Sequence, residues 1–240
     1  MKLQILSDLH VEFHRDQGKS FINSLDPSGV DVLLLPGDII TLRNIDPLYR
    51  ICDKYKKVIY IAGNHELYDL SVEEGLEIFN SLSHPNLITL NNSLVEIDGQ
   101  KFLGSTLWFN EEDVKRHGTQ ESFLNDFYKI EGFKPWVYET HLESAKWLKD
   151  NCRSGDVVLT HHLMSYRCIA PEYKMSAHNC FFASNQDEII LHQKPKLVVS
   201  GHTHSSIDTV IGETRYIINP FGYAGHDENP NFNDKLVIEI

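Results

Sequence analysis

Five places in the sequence set an imidazole, a carboxylate or a carboxamide directly behind a short apolar run. They are Ser7-Asp8-Leu9-His10, Pro36-Gly37-Asp38, Gly63-Asn64-His65-Glu66, Thr160-His161-His162 and Ser200-Gly201-His202-Thr203-His204. Six of the 13 histidines fall in four of these five groups. Singly each group is ordinary, since Asp commonly follows Gly in turns and a His-His pair often has one packed and one exposed ring. Recurrence behind successive apolar runs is what points to chemistry. Asp, His and Asn together offer oxygen and imidazole donors, a set suited to Mn²⁺, Fe or Zn²⁺ rather than to a thiolate-seeking ion. The candidates are Asp8, His10, Asp38, Asn64, one of His161 and His162, His202 and His204. They are too many for one tetrahedral site and fit two divalent ions that share a carboxylate. Two such ions against the carboxylates of Asp8 and Asp38 leave net positive charge, which a phosphate ester and an attacking hydroxide require.

These groups need elements that bring them together. The runs Leu3–Leu6, Val30–Leu35, Val58–Ala62, Val157–Leu159, Leu197–Val199, Tyr216–Ile218 and Leu236–Ile240 read as strands buried on both faces. Helix patterns lie between them: Leu48–Tyr55 opened by an Asp46 cap and Pro47, a capping box Ser71-x-x-Glu74, Glu139–Asn151, and Glu188–His192 started from Ser184. Strands alternating with helices predict a layered α/β domain. Leu94–Ile97, Asp98-Gly99 and Lys101–Leu103 predict a hairpin, so the sheet is mixed or there are two sheets. Ligands of open α/β sheets bind beyond the carboxyl ends of strands, so the five tips should converge. In extended chain, residues i and i+2 share a face, which predicts that Asp8 and His10 point one way and that His202 and His204 do so too. Thr106–Trp136, aromatic and charged, reads as an excursion or cap over one edge of a single domain spanning 1–240. The other seven histidines, His141 and His178 among them, read as surface or loop residues.

Composition narrows the class further. At 240 residues with 41% hydrophobic and 23% charged residues, a disordered or fibrous chain is excluded. The net charge of -12 disfavours a protein that wraps nucleic acid, because that needs a positive face. No apolar run approaches the ~20 residues of a membrane helix, and Asp8 interrupts the start of the chain before a leader could form. Cys52, Cys152, Cys168 and Cys180 form no CxxC pair and read as free thiols, which makes the cytoplasm the expected compartment.

Asp8-x-His10, Gly37-Asp38, Gly63-Asn64-His65-Glu66, His161 and Gly201-His202-x-His204, in this order, resemble the calcineurin-like metallophosphoesterase superfamily. The resemblance covers most of the chain. It implies a fold of two mixed β-sheets packed as a sandwich flanked by helices, four layers in all, with the metals at the strand ends. It further implies that Asp8, His10 and His204 hold a first metal, that Asn64, His161 and His202 hold a second, and that Asp38 bridges them. His65, by the same resemblance, faces the substrate and steadies phosphoryl oxygens or protonates the leaving oxygen, with an acidic neighbour in support. The reaction implied is attack of a metal-activated hydroxide on phosphorus. The chain also departs from some branches. Gly37-Asp38-Ile39-Ile40-Thr41-Leu42-Arg43 lacks the second Asp and the Arg-Gly of the protein Ser/Thr phosphatases, which disfavours a protein substrate.

Expected is a two-metal phosphohydrolase acting on a small phosphoester, with a phosphodiester favoured because the phosphate-gripping arginines are missing. The alternatives are a nuclease or nucleotide pyrophosphatase, and a non-catalytic metal-binding scaffold. Substrate contacts are sought in Ser165–Ser184, with Arg167, Tyr173 and Asn179 as candidates and Arg167 poised for a second phosphate or a carboxylate. A second stretch, Arg215–Tyr223, offers further contacts.

Overall fold

Six of the seven short apolar runs become strands buried on both faces, and this decides the architecture; the seventh, at Val237–Glu239, is instead an edge strand with Val237 and Glu239 exposed, because nothing pairs beyond it. A computed structural model describes residues 1–240. Its two main sheets are built from β1 (Lys2–Ile5), β2 (Val32–Pro36), β3 (Val58–Ile61), β4 (Leu87–Thr89), β5 (Ser93–Ile97), β6 (Gln100–Ser105), β7 (Val157–Thr160), β8 (Leu197–Ser200), β9 (Ile207–Ile211), β10 (Thr214–Ile218) and β11 (Val237–Glu239). The first sheet runs β11-β1-β2-β3-β4, parallel except for the antiparallel edge β11. The second runs β9-β10-β8-β7-β6-β5, with four parallel central strands and an antiparallel strand at each edge.

Period-two alternation sorts the side chains between layers. Leu3, Ile5, Val32, Leu34, Ile59 and Ile61 face the second sheet, where they meet Phe102, Val157, Leu159, Leu197, Val199 and Ile217. Their neighbours Leu33, Leu35, Val58 and Tyr60 face outward, against α1 (Asp46–Lys54) and α2 (Val72–Ser81) through Leu48, Ile51 and Phe79. On the far side Leu103, Val158, Val198 and Tyr216 meet α3 (Phe133–Asn151) and α4 (Asp187–Gln193) through Leu148, Ile189 and Ile190. The result is helix, sheet, sheet, helix: the four-layer sandwich of mixed sheets that the resemblance implied.

Local signals mostly act where the sequence puts them. The Ser71 hydroxyl accepts from the Glu74 N–H at 3.2 Å, and the Glu74 carboxylate accepts from the Ser71 N–H at 3.0 Å, closing the capping box. Asp98 and Gly99 take φ of 50° and 83°, the left-handed pair that a two-residue hairpin turn needs. Two helix starts differ from expectation. Asp46 lies inside α1 behind Ile45 instead of capping it, and α4 begins after Gln186, so Ser184 does not cap it. His141, read as a surface or loop residue, is buried in α3, where its Nδ1 donates to the Leu107 carbonyl at 2.9 Å. The 106–136 stretch folds as the helices Glu111–His117 and Asp126–Lys129, a two-residue strand Ile130–Glu131 and short turns, and Val114, Leu124, Ile130 and Phe133 join the core. No helix is long and apolar enough to cross a membrane.

All four cysteines are buried free thiols. Burial pushes Cys52, Cys152 and Cys168 up from 9.0 to about 12 each, with Asp53, Asp156 and Asp187 respectively adding to the rise. Between pH 9 and 12 the unfolded chain releases these protons while the folded chain keeps them. Stability contributed by the thiols is therefore full below pH 9 and is lost as pH climbs through that window. A thiol-disulfide reagent at pH 8 should find no fast-reacting thiol in the native protein and four in denaturant. A rapidly titrating native thiol would contradict the packing of these side chains.

Candidate metal centre

The five tips meet because β1, β2 and β3 are parallel neighbours in one sheet and β7 and β8 are parallel neighbours in the other. Beyond its strand each chain leaves extended geometry at once. Asp8, His10, Asp38, His202 and His204 all have positive φ, from 43° to 70°. This corrects the expectation from strand alternation: Asp8 and His10, like His202 and His204, converge through left-handed backbone and not through a shared strand face. The tips are tied to one another. The His10 N–H donates to the Asp38 carbonyl at 3.0 Å. The His202 N–H donates to Asp8 Oδ1 at 2.8 Å, and the His65 N–H to Asp38 Oδ1 at 2.9 Å. Each carboxylate thus keeps its second oxygen for the centre.

Asp8, His10 and His204 form one group of ligand atoms within 4.8 Å of each other, and Asp38, His161 and His202 form another. Asp38 Oδ2 lies 3.6 Å from His10 Nε2 and 3.4 Å from His161 Nε2, between the two groups. A third group adds His65 to His10 and Asp38. The outward nitrogens are assigned by their partners. Nδ1 of His10 donates to Glu12 at 3.2 Å, Nδ1 of His161 to the Pro36 carbonyl at 2.9 Å, and Nδ1 of His204 to Asp227 at 3.4 Å. A lone pair is then left on Nε2 of these three rings, whereas His202 turns Nδ1 toward His161 Nε2 at 3.1 Å. His10 Nε2 faces His204 Nε2 at 3.1 Å, His161 Nε2 faces Asn64 Oδ1 at 3.0 Å, and Asp8 Oδ2 is buried without a partner. Acceptors aimed at acceptors in a buried site require a positive charge between them, so the donor set fits metal cations. The electrostatics agree. Burial disfavours a charged His161, yet the Asp38 carboxylate outweighs it and raises the ring to about 10, so that a proton on Nε2 supplies the positive charge when no metal is bound. His202, beside His162 and His161, is held neutral by burial and by the charge of those neighbours.

Glu66 fixes the spacing of the tips. Its Oε1 accepts from the N–H groups of Ile39 and Ile40 at 2.8 and 3.3 Å and from the Tyr60 hydroxyl at 2.7 Å. Its Oε2 accepts from the N–H groups of Asp38 and Gly63 at 2.9 and 2.6 Å. Burial and the nearby Asp38 charge push this carboxyl up to about 7. Every hydrogen-bond partner is a donor, and these bonds oppose that rise by favouring the carboxylate form. The tips then approach so closely that a Cβ on Gly63 would strike Asp38 Oδ1 and lie 2.7 Å from His161 Nε2. Gly201 is constrained in the same way, 2.6 Å from Asp8 Oδ2. These glycines make room for ligands.

His65 stands beside the groups with both ring nitrogens engaged, Nδ1 to Glu12 at 3.0 Å and Nε2 to the Tyr223 hydroxyl at 3.1 Å. Burial opposes its charge, and the Asp38 and Glu12 carboxylates outweigh burial and raise it. Burial likewise opposes ionisation of Glu12, and hydrogen bonds from His10 and His65 pull its carboxyl down to about 2. Asn64 is oriented by Asp126, which accepts from its Nδ2 at 2.9 Å and from the Tyr68 hydroxyl at 2.7 Å, leaving Oδ1 toward His161. Burial pushes Asp126 up to about 6 against those hydrogen bonds. Glu12, Asp126 and Tyr68 escaped the sequence reading, and Glu66 was quoted there without a role. Glu12 sits two residues past His10 and Glu66 one past His65, so adjacency was the available signal; Asp126 and Tyr68 offered none.

Of the three candidates for substrate contact, Tyr173 and Asn179 line a cleft of about 520 Å³ whose floor includes Asp38, Asn64, His202 and His204. Asn179 is buried and its Nδ2 donates to the Tyr173 carbonyl at 2.7 Å. Arg167 is not brought there: its Nε donates to Asp187 at 2.9 Å, and it is absent from the cleft wall. His178 does line the cleft, stacked on Phe123 with centroids 3.4 Å apart. His162 is buried beneath His202, with centroids 4.1 Å apart and neither ring nitrogen partnered. From the second stretch, Tyr223 reaches the cleft, whereas the Asn219 amide serves the fold by donating to the carbonyls of Ile5 and Asn233. A wider groove of about 770 Å³ between Arg43 and Lys134 holds none of the ligand candidates.

A family model described as calcineurin-like phosphoesterase matches residues 1–206. An uncharacterized protein of Acanthamoeba polyphaga mimivirus, L509, is 30% identical over 273 aligned positions, covering 99% of this chain and 96% of that one. The phosphopantetheinyl hydrolase of Mycobacterium tuberculosis shares the fold with a TM-score of 0.72 at 19% identity, over 92% of this chain and 89% of that one. A dimetal phosphatase from Danio rerio does so with a TM-score of 0.51 at 14% identity, over 93% and 88%.

Replacing Glu66 by Gln puts an amide NH₂ among donors. Loss of a charged acceptor there should cost about 3 kcal/mol of stability in urea unfolding of EDTA-stripped protein. A loss below about 1 kcal/mol would show that this carboxylate does not hold the tips together.

Proposed function

The chain belongs to the calcineurin-like phosphoesterase family, and on that premise we propose that it is a two-metal phosphohydrolase cleaving a small phosphoester, a diester in preference to a monoester. The observation that carries this reading is the facing of bare acceptors on both sides of Asp38 Oδ2. Asp8, His10, Asp38 and His204 would hold one ion, and Asp38, Asn64, His161 and His202 the other. When bound, a pair of divalent ions supplies polarisation of phosphoryl oxygens and a water acidic enough to ionise near neutral pH.

The remaining groups are the chain's own contribution. Glu12 accepts from Nδ1 of both His10 and His65 and so sets two tautomers at once. For His65 this directs Nε2 to the side where Tyr223 now meets it. A leaving oxygen that took the place of the Tyr223 hydroxyl would receive the Nε2 proton, which is the role of a general acid. The raised affinity of His65 for its proton supports that assignment. The diester preference is supported by the cleft wall, which contains no Lys or Arg to meet the second charge of a monoester. That same wall disfavours a nuclease, and the filling of every ligand position disfavours a scaffold without catalysis. The four buried free thiols support the cytoplasm as the compartment.

The test compares bis-p-nitrophenyl phosphate with p-nitrophenyl phosphate, using EDTA-stripped protein with Mn²⁺ restored. Mn²⁺-dependent cleavage, faster for the diester, is expected. Asp38→Asn should lose metal and turnover together. His65→Ala should retain metal and lose roughly 10²–10⁴ in kcat. Glu12→Gln should lower activity by about 10–100-fold. A fully active Asp38→Asn enzyme would sink the proposal.

A further inference from the structure

Above the ligand floor the cleft changes character. Its walls carry Phe123 and Leu124 from the 106–136 stretch, Ile169, Tyr173 and Phe182 from the segment after β7, and the His178 ring laid flat on Phe123, with uncharged polar side chains such as Asn125, Ser176 and Thr203 between them. Phe123 and Tyr173 leave 53% and 56% of their surface exposed there, an unusual outlay of aromatic area unless something covers it. No Lys or Arg lines the cleft. The arginine nearest in sequence, Arg167, is already committed to Asp187. The carboxylate on the rim, Asp227, faces His204 and adds negative charge instead. An anionic group lodged between these walls would lose its hydration and find an aspartate and no cation. An apolar or aromatic group would gain burial at no such cost.

We infer that the cleft takes a phosphoester whose organic half is free of negative charge and presents an aromatic or apolar face, carrying neither a second phosphate nor a carboxylate. The inference rests on the phosphohydrolase reading for the site of the phosphate itself. It separates esters of a single phosphate from nucleoside polyphosphates, dinucleoside pyrophosphates and oligonucleotides, all of which place further anions where the walls offer no partner. A bound aromatic ring would extend the stacking already present between Phe123 and His178.

The closing experiment uses two diesters that differ in one charge, phenyl p-nitrophenyl phosphate and 4-carboxyphenyl p-nitrophenyl phosphate, with methyl p-nitrophenyl phosphate as a third substrate. On the Mn²⁺-loaded protein the phenyl ester should exceed the carboxyphenyl ester at least tenfold in kcat/KM. Tyr173→Lys, at an exposed wall position, should narrow that ratio at least threefold by favouring the carboxyphenyl ester. ADP should be a poor substrate and a poor inhibitor. Calorimetric binding of the two aryl esters to the Mn²⁺-loaded His65→Ala protein gives the same comparison with turnover suppressed. Equal binding and equal rates, or a preference for ADP, would overturn the inference. Tenfold tighter binding of the phenyl ester with no cleavage of any of the three would support the inference and overturn the phosphohydrolase reading instead.

Discussion

Two loops that leave adjacent parallel strands carry backbone N–H groups that no ladder can satisfy, and at this centre they must also bring acidic and imidazole ligands within a few ångströms. Glu66 resolves both demands with one buried carboxylate. Four N–H groups from the tips of β2 and β3 and the Tyr60 hydroxyl converge on its two oxygens. Unpaired, those donors would each cost a desolvation penalty in the interior. Paired to one rigid acceptor, they set the distance between Asp38 and the Gly63-Asn64-His65 turn. Asp38 can then sit between the two ligand groups, and Gly63 must lack a side chain.

The charge arrangement follows from that geometry. Asp8 and Asp38 are almost fully buried among imidazoles whose outer nitrogens are taken by Glu12, the Pro36 carbonyl and Asp227. Each outer acceptor removes a proton from the inner nitrogen's options and turns a lone pair inward. The interior is thereby rich in acceptors and poor in cations, a state that burial alone would make unfavourable. Positive charge is what the site lacks. The strong pull of Asp38 on a His161 proton expresses the same deficit that metal binding would fill.

The 106–136 stretch serves the centre and the cleft together. It delivers Asp126, which orients the Asn64 carboxamide, and Phe123 and Leu124, which wall the cleft. One segment therefore serves both the ligand floor and the cleft wall. Arg167 shows the complementary choice: this arginine, two residues before the cleft residue Ile169, is spent on Asp187.

Much of this was legible in the sequence because it is local. Continuous apolar runs gave strands buried on both faces, Asp98-Gly99 gave the hairpin turn, and Ser71-x-x-Glu74 gave the capping box. Five polar groups placed directly behind such runs named the residues to watch, since parallel strands share one carboxyl end. The tertiary structure decided what depends on contacts between distant segments. Alternation along a strand suggested how Asp8 and His10 share a direction, but the left-handed backbone beyond the strand fixes it, and that backbone is held by carbonyls and carboxylates of neighbouring tips. Asp126 and Asn64 lie 62 positions apart, and no periodicity links them. The choice of inward nitrogen on His10, His161 and His204 is likewise set by partners that only folding brings together, as is the turning of Arg167 to Asp187.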